Sequence, residues 1–197
     1  MAYKIIQPPF TLQFDEMSRK ELADYFGWCM GILPARIDEL ASAVRLTPGH
    51  ENWQPDKTPA SLDALGQWLA GQVEKRPRTE EELRELDERV NGGRPYAIEI
   101  SKEELTNKTY SLAMDTGMYL SQVFLQNHPS LRWTQQFGDR RYVDYGQPVL
   151  AEFNPAPFNP VRISIVLATG LANKTKDGRR LRELYNIWAK DVRPNAG

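Results

Sequence analysis

Residues 101–129, SKEELTNKTYSLAMDTGMYLSQVFLQNHP, decide the fold of this chain. Their apolar residues recur on several sides of a 3.6-residue repeat, which is typical of a helix that other elements enclose. Ser101 followed three residues later by Glu104 has the form of a capping box, and His128-Pro129 ends the pattern. We therefore predict one long central helix that begins at Ser101 and is buried over most of its surface.

Asp115 is the single acidic residue in the apolar part of this stretch. A carboxylate in such a helix must be solvated, paired or neutralised. Its polar neighbours Ser111 and Gln122 favour a solvated or half-buried seam. A structural ion pair with an arginine such as Arg36 or Arg132 is the second interpretation, and a ligand-binding or catalytic role is the third.

Two aromatic residues are expected near this acid. Tyr119 follows Asp115 by one helical turn, and Trp133 lies on the first predicted strand after the helix, next to Arg132. Aromatic rings that carry a polar atom are common in binding clefts and equally common in cores. We take Asp115, Tyr119, Arg132 and Trp133 as the candidate binding residues, and we assign no catalytic residue.

Helical spacing dominates the first half of the chain. Apolar residues recur at i, i+3 and i+4 on both sides of Pro34, which predicts a helical hairpin or one kinked helix. Thr58-Pro59 is typical of a helix start, and Thr79 before three glutamates predicts a charged surface helix. Residues 4–14 contain two adjacent prolines and indicate an edge strand or an extended arm.

Short strands and further helices are predicted after the central helix. Three segments, 131–137, 142–145 and 149–153, indicate antiparallel strands with a turn at Gly138-Asp139. Residues 161–170 suit a strand or a helix, and we favour the helix. Asp177 is the expected cap of the last helix. The fold class is α+β, mainly helical, with a long central helix and a small antiparallel sheet.

Length and composition indicate one domain over residues 1–197, with a helical N-terminal part at about 15–90 and an α+β C-terminal part at about 96–193. The formal net charge of −1 argues against a general binder of nucleic acid or anionic membranes. Cys29 is the only cysteine and lies in an apolar stretch, and the chain has only two histidines. We therefore expect no metal site, no cofactor and no reactive thiol.

One local cluster of basic residues lies at the entry to the last helix. Its members are Lys174, Lys176, Arg179, Arg180 and Arg182. Five such charges can hold phosphates, which keeps a nucleic-acid accessory factor open as an interpretation. The cluster is short and has no interleaved aromatic residues, so a solvated turn is favoured.

Three short patterns resemble a group of uncharacterised bacterial proteins of similar size. The patterns are YFGW at 25–28 with LPARI at 33–37, DTGMYL at 115–120 with NHPSLRW at 127–133, and QPVL at 147–150. The second has the forms D-x-G-x-Y-L and N-x-P-S-L-x-W. Where similar sequences often continue with Gly-Glu, this chain has Ser121-Gln122, so any role of that acid is absent or altered. The patterns are also similar to those of small immunity and accessory proteins of bacterial toxin systems.

These features together favour a cytoplasmic protein that binds another protein without catalysis, of the accessory or immunity type that the resemblance implies. The first residues, MAYKIIQPPF, have the form of neither a signal peptide nor a membrane span. Two alternatives stay open: a small-molecule-binding protein or enzyme with a pocket near Asp115, and a nucleic-acid accessory factor that uses the basic cluster. A homo-oligomer is also left open.

Overall fold

The computed structural model describes residues 3–93 and 95–194. Within those ranges the chain has six α-helices, a 3-10 helix and two antiparallel two-stranded sheets. The helices are α1 (Arg19–Arg45), α2 (Ser61–Ala70), α3 (Glu80–Asn91), α4 (Asn107–Asn127), α5 (Pro160–Ala172) and α6 (Arg180–Trp188), followed by the 3-10 helix Ala189–Asp191. The strands are β1 (Lys75–Pro77), β2 (Glu103–Leu105), β3 (Trp133–Gln135) and β4 (Pro148–Leu150). This architecture confirms the predicted α+β, mainly helical class.

The predicted central helix is α4, and it is enclosed on every side. Every residue from 111 to 121 is buried, which is three consecutive turns of helix. The predicted start at Ser101 is wrong, because Glu103–Leu105 forms β2 and pairs with β1. Thr106 is the actual N-cap, and its side chain accepts a hydrogen bond from the backbone N–H of Thr109. Pairing between distant strands therefore overrides the local capping pattern.

The helix α5 packs directly against the backbone of α4. A Cβ atom on Gly117 would lie 2.6 Å from the Cα of Val161 and 2.7 Å from the carbonyl oxygen of Pro160. Asn159 caps α5 by accepting a hydrogen bond from the backbone N–H of Arg162 at 2.9 Å. The helix predicted for residues 161–170 is confirmed, and its first turn is the part that touches α4.

The helix α1 continues through Pro34, so of the two predicted alternatives the helical hairpin is wrong and a single helix is present. Pro34 lacks the N–H that would bond the carbonyl of Met30, which costs about 3 kcal/mol in an isolated helix. The Pro34 side chain is exposed, whereas one continuous stripe of α1 is buried on both sides of it. That stripe comprises Leu22, Tyr25, Cys29, Leu33, Ile37, Leu40, Ala41 and Val44. Packing of the stripe on the core offsets the missing hydrogen bond.

Other helix starts agree in part with the sequence pattern. Thr79 caps α3, as predicted from the sequence, and Glu82 completes a capping box with it. The helix predicted to start at Thr58-Pro59 is α2, which begins at Ser61. Asp177 does not cap α6, because α6 begins at Arg180 and the Asp177 carboxylate accepts instead from the backbone N–H of Arg179.

The region after α4 contains fewer strands than predicted. β3 pairs with β4 so that Trp133 lies opposite Leu150 and Gln135 opposite Pro148. Residues 142–145 were expected to form a strand, but in the described structure they belong to the loop that joins β3 to β4. Residues 136–147 are called the 136–147 loop below. Residues 4–14 form an extended arm rather than an edge strand, and Ile6, Phe10 and Phe14 pack on the core.

We predict opposite effects of alanine at two helical glycines. Gly117→Ala should destabilise the fold by about 1–3 kcal/mol, because the new methyl group overlaps the α5 backbone. Gly27→Ala should stabilise it by about 0.5–1 kcal/mol, since Gly27 is exposed on α1 with nothing within 4 Å of an added Cβ. Urea unfolding of both variants measures the difference. A Gly117→Ala protein as stable as the wild type would contradict the close contact between α4 and α5.

Candidate functional site

Asp115 is fully buried, and both of its carboxylate oxygens accept hydrogen bonds. Arg36 donates from Nε to Oδ1 at 2.8 Å and from Nη2 to Oδ2 at 2.7 Å. The hydroxyl of Tyr3 donates to Oδ2 at 2.5 Å. Ser111 Oγ lies 2.9 Å from the Tyr3 hydroxyl and accepts the backbone N–H of Ile6 at 2.8 Å. This cluster joins the N-terminal arm, α1 and α4.

The charges of this cluster are set by burial and by the ion pair. Burial raises the pKa of Asp115, and the hydrogen bonds from Arg36 and Tyr3 oppose that rise. Burial and the neighbouring carboxylate raise the pKa of the Tyr3 phenol, which therefore stays protonated and donates. The solvated seam that the sequence favoured is wrong, and the ion pair with Arg36 is present.

Tyr119 is also buried, but its hydrogen-bond partners are different. Its hydroxyl lies 2.7 Å from Ser61 Oγ and accepts the backbone N–H of Lys57 at 3.0 Å. Its ring packs against Trp53 edge to face, with the centroids 5.4 Å apart. Tyr119 therefore fixes the segment before α2 to α4, whereas Asp115 contacts α1 and the N-terminal arm.

The surroundings of Arg132 and Trp133 differ from those of Asp115 and Tyr119 and from each other. Arg132 is exposed and pairs with Glu152 at 2.7 Å. Trp133 is partly buried and lines a cavity of about 20 Å³ together with Cys29 and Met118. That volume is enough for about one water molecule. The four candidate residues thus share no hydrogen-bond partner within the described residues, and whether any of them binds a ligand stays a prediction.

A different surface combines exposed apolar side chains with arginines. Its members are Leu12, Arg19, Phe137, Arg140, Arg141, Tyr142 and Val143, and we call it the arginine–aromatic surface. Phe137 and Tyr142 are each 40% exposed and Val143 is 58% exposed. The guanidinium of Arg19 lies 3.9 Å from the centre of the Phe137 ring. A groove of about 260 Å³ separates Leu12 from the loop residues.

The 136–147 loop that carries this surface is held to α1 by its backbone. Gly146 adopts φ of +68°, and a Cβ there would lie 2.5 Å from a methyl carbon of Leu22. Gln135 donates from Nε2 to the carbonyl of Leu22 at 2.7 Å and to the carbonyl of Gly146 at 2.8 Å. Only glycine combines this conformation with so close a contact.

A second buried acid holds the same loop to α5. Asp144 is buried and accepts from Arg162 Nε at 2.7 Å and from Arg162 Nη2 at 2.9 Å. Asn159 Nδ2 donates to Asp144 Oδ1 at 2.8 Å. Arg140 adds a bond from Nη1 to the carbonyl of Asp15 at 2.7 Å, which joins the loop to the N-terminal arm. The exposed side chains are therefore presented by a fixed backbone.

This surface was not predicted from the sequence. Residues 137–146 read FGDRRYVDYG, in which aromatic residues and arginines alternate with turn residues. That composition was the available signal, because tyrosine and arginine are enriched in protein interfaces. Residues 142–145 of this segment were interpreted as a short strand, and the exposed side chains were not considered as a surface.

The basic cluster at the start of α6 is largely engaged in local ion pairs. Arg179 pairs with Asp177 at 2.7 Å, and Arg180 pairs with Glu183 at 3.1 Å. Arg182 lies 3.4 Å from Asp63 on α2. Three of the five positive charges thus have a carboxylate nearby, which reduces the field that phosphates would meet.

No family model, curated protein or solved structure matches this chain. Among residues 3–93 and 95–194, no three His, Cys, Asp or Glu side chains are grouped so that they could hold a metal ion. In the same part of the chain, no helix has both the length and the apolar character needed to cross a membrane.

We predict that Asp115→Ala destabilises the fold by about 3–5 kcal/mol, because it leaves Arg36 without its carboxylate in a mostly buried position. Glu81→Ala, at an exposed position of α3, is the control and should change stability by no more than about 0.5 kcal/mol. Denaturant midpoints of both variants measure the effect. Equal midpoints would mean that the cluster contributes nothing to the fold.

We also predict slow alkylation of Cys29 in the native protein. Burial raises the pKa of its thiol to about 11, so at pH 8 the thiolate fraction is on the order of one in a thousand. The urea-unfolded protein should react fast, since its thiol has the ordinary pKa of about 8.5. Iodoacetamide labelling followed by mass spectrometry compares the two states, and rapid native labelling would contradict the buried position.

Proposed function

We propose that this chain is a non-catalytic protein-binding protein of the accessory or immunity type, acting in the cytoplasm. The arginine–aromatic surface is its docking site, and a segment of a partner protein with acidic and apolar side chains is its ligand. The observation that carries this proposal is the group of large exposed side chains on a loop whose backbone is fixed from two sides.

The composition of this surface supports a protein partner. Tyrosine and arginine dominate the energetically important positions of protein interfaces, whereas exposed apolar side chains are normally scattered singly. Leu12 adopts φ of +60°, a conformation that is uncommon for leucine and is typical of functional segments. A loop that is already ordered loses little entropy when a partner binds.

The charges of the surface favour an acidic segment. Arg140 and Arg141 line the groove, and Arg141 is 90% exposed. Arg19 and Arg140 lie 5.9 Å and 5.8 Å from the centre of the Tyr145 ring. Arg141 pairs with Asp139 at 2.7 Å, an exposed pair that a partner's carboxylate can replace at little cost. Leu12 and Val143 line the same groove as these arginines. Such aliphatic side chains pack well against a leucine or valine of a protein partner and poorly against a phosphate.

Two further observations support this ranking over the alternatives. Both oxygens of Asp115 already accept bonds from Arg36 and Tyr3, which leaves little capacity for a small-molecule ligand there. Arg179, Arg180 and Arg182 of the basic cluster have carboxylate neighbours, which weakens the case for a nucleic-acid site. The resemblance to immunity and accessory proteins agrees with a protein partner.

The test is a quantitative pull-down with two matched double variants. Arg141→Glu with Val143→Ser should lower the captured partner by about tenfold or more, since one buried hot-spot side chain contributes about 2 kcal/mol. The control is Arg179→Glu with Val166→Ser, because Arg179 pairs with Asp177 at the same 2.7 Å and Val166 is 60% exposed.

The control variant should capture the partner as the wild-type protein does. Cross-linking of the captured complex should place an acidic segment of the partner at Arg141. Two results would contradict the proposal. One is an equal loss of captured partner in both double variants, and the other is capture that only nuclease treatment removes.

A further inference from the structure

One side of the groove in the arginine–aromatic surface is built by the N-terminal arm. Leu12, Phe14 and Asp15 line the groove together with side chains of the 136–147 loop. We call these three residues the arm wall. The loop side is anchored to distant helices through Gly146 and Asp144, whereas the arm wall lies outside every helix and strand. The groove is therefore formed only while the arm lies in place.

The arm is attached to the fold through side chains rather than through a backbone ladder. Among residues 3–93 and 95–194, no backbone–backbone hydrogen bond involves residues 3–12. Instead, the N–H of Lys4 donates to Glu39 Oε1 at 2.7 Å and the N–H of Ile6 donates to Ser111 Oγ at 2.8 Å. Segments with few protected backbone bonds open at a lower free energy than the whole domain. We therefore expect the arm to open locally while the helices stay folded.

The start of the arm is anchored by the phenol of Tyr3. Its hydroxyl donates to Asp115 Oδ2 at 2.5 Å and accepts from Arg36 Nη2 at 2.8 Å. Hydrogen bonds to charged groups stabilise a contact more than those between neutral groups. The ring centre lies 5.3 Å from the Arg36 guanidinium, so loss of the hydroxyl alone leaves a contact of the ring. The hydroxyl is thus a separable part of the anchor.

Two prolines connect this anchor to the aromatic part of the arm. Pro8 and Pro9 lie between Ile6, which is bonded to α4, and Phe10, which packs on α1. Each proline ring fixes its own φ, so the spacer between Ile6 and Phe10 is stiff. A stiff spacer transmits a displacement of one end to the other. Release of the arm at Tyr3 and Ile6 should therefore also displace Phe10.

The aromatic part of the arm includes the arm wall. The rings of Phe10 and Phe14 both pack edge to face on Tyr25, with centroids 5.4 Å and 5.1 Å from it. On the groove side, Arg140 donates from Nη1 to the carbonyl of Asp15 at 2.7 Å, in an exposed position. When Phe10 leaves Tyr25, Phe14 loses a neighbour in this cluster. The arm wall is then held mainly by the exposed bond to Arg140.

We propose that the N-terminal arm and the arm wall open and close as one unit, and that Tyr3 is the positioning residue that keeps the groove formed. Tyr3 acts from outside the groove, since its hydrogen-bond partners lie on α1 and α4. The inference rests on the proposed function for the role of the groove and adds its regulation. A partner segment that contacts both sides of the groove binds only the closed arm.

The first test is amide hydrogen exchange of the full chain, measured by NMR. The N–H of Ile6 reports on the start of the arm, and the N–H of Met17, which donates to the carbonyl of Gln13 at 3.1 Å, reports on the turn at the arm wall. Tyr3→Phe should speed the exchange of both amides by the same factor, about tenfold. Tyr96→Phe, at a position that is 65% exposed, is the control and should change neither rate.

The urea dependence of exchange separates local opening from unfolding of the whole chain. Exchange of Ile6 and Met17 should be nearly constant at low urea concentrations, because local opening exposes little surface. Exchange of Leu120, in the buried part of α4, should rise steeply with urea. Two results would overturn the proposal: faster exchange of Ile6 alone in Tyr3→Phe, which means that the arm frays without the arm wall, and the same urea dependence for all three amides.

A second measurement connects this unit to docking. The probe is a fluorescein-labelled synthetic peptide of glutamate and leucine, whose Kd for the wild-type protein is first measured by fluorescence anisotropy. A ligand that binds only the closed arm lowers the open population by a factor of one plus the ratio of its concentration to Kd. The peptide at ten times its Kd should therefore slow the exchange of Met17 about tenfold. The same concentration should have no such effect on Arg141→Glu with Val143→Ser.

The outcomes distinguish this inference from the proposed function. Unchanged exchange of Met17 at saturating peptide would overturn the control of docking by the arm, although the docking site itself would stand. Failure of the wild-type protein to bind the peptide would contradict the docking site of the proposed function. The exchange rates of Ile6 and Met17 in Tyr3→Phe would still decide whether the arm and the arm wall open as one unit.

Discussion

The burial of α4 on all sides is the constraint on which the rest of this structure depends. A helix with three consecutive buried turns needs a neighbour in every direction, so α1, α5 and the segment before α2 must all reach it. Apolar contact alone would let these neighbours slide along the helix. Three residues of α4 set the positions of these neighbours. Gly117 has no side chain and lets the α5 backbone approach, Asp115 bonds Arg36 of α1, and Tyr119 bonds the segment before α2.

Two buried carboxylates have related roles in different places. Asp115 pairs with Arg36 inside the core and joins three elements, whereas Asp144 pairs with Arg162 beneath the 136–147 loop. In both cases a bidentate arginine meets a carboxylate that has lost its water, and a further side chain completes the hydrogen bonding. The first pair fixes how helices meet, and the second fixes how a surface is presented.

Features with a local physical cause could be predicted from the sequence. The Thr79 cap, the helix at residues 161–170 and the enclosed character of α4 all depend on residues within a few positions. The errors arose where distant contacts compete with local preference. The pairing of β1 with β2 displaced the Ser101 cap, and packing on the core carried α1 through Pro34.

The candidate binding residues could be predicted as notable positions but not as one site. Asp115 and Tyr119 lie one helical turn apart, yet Asp115 bonds Arg36 of α1 whereas Tyr119 bonds Ser61 and Lys57, and Trp133 lies on β3. The 136–147 loop was hidden for another reason. Residues 142–145 were interpreted as a strand, whereas Gly146 contacts Leu22 of α1 and Asp144 pairs with Arg162 of α5, contacts with distant helices that no local pattern indicates.

The anchoring of the 136–147 loop also couples surface events to the interior. Gln135 of β3 bonds both Leu22 in the first turn of α1 and Gly146 of the loop, and Asp144 of the loop pairs with Arg162 in the first turn of α5. A molecule that binds the ordered loop and not the unfolded chain adds its binding free energy to the stability of the native state. Occupancy of this surface would therefore slow amide exchange in the first turns of α1 and α5, so that these helices report on binding.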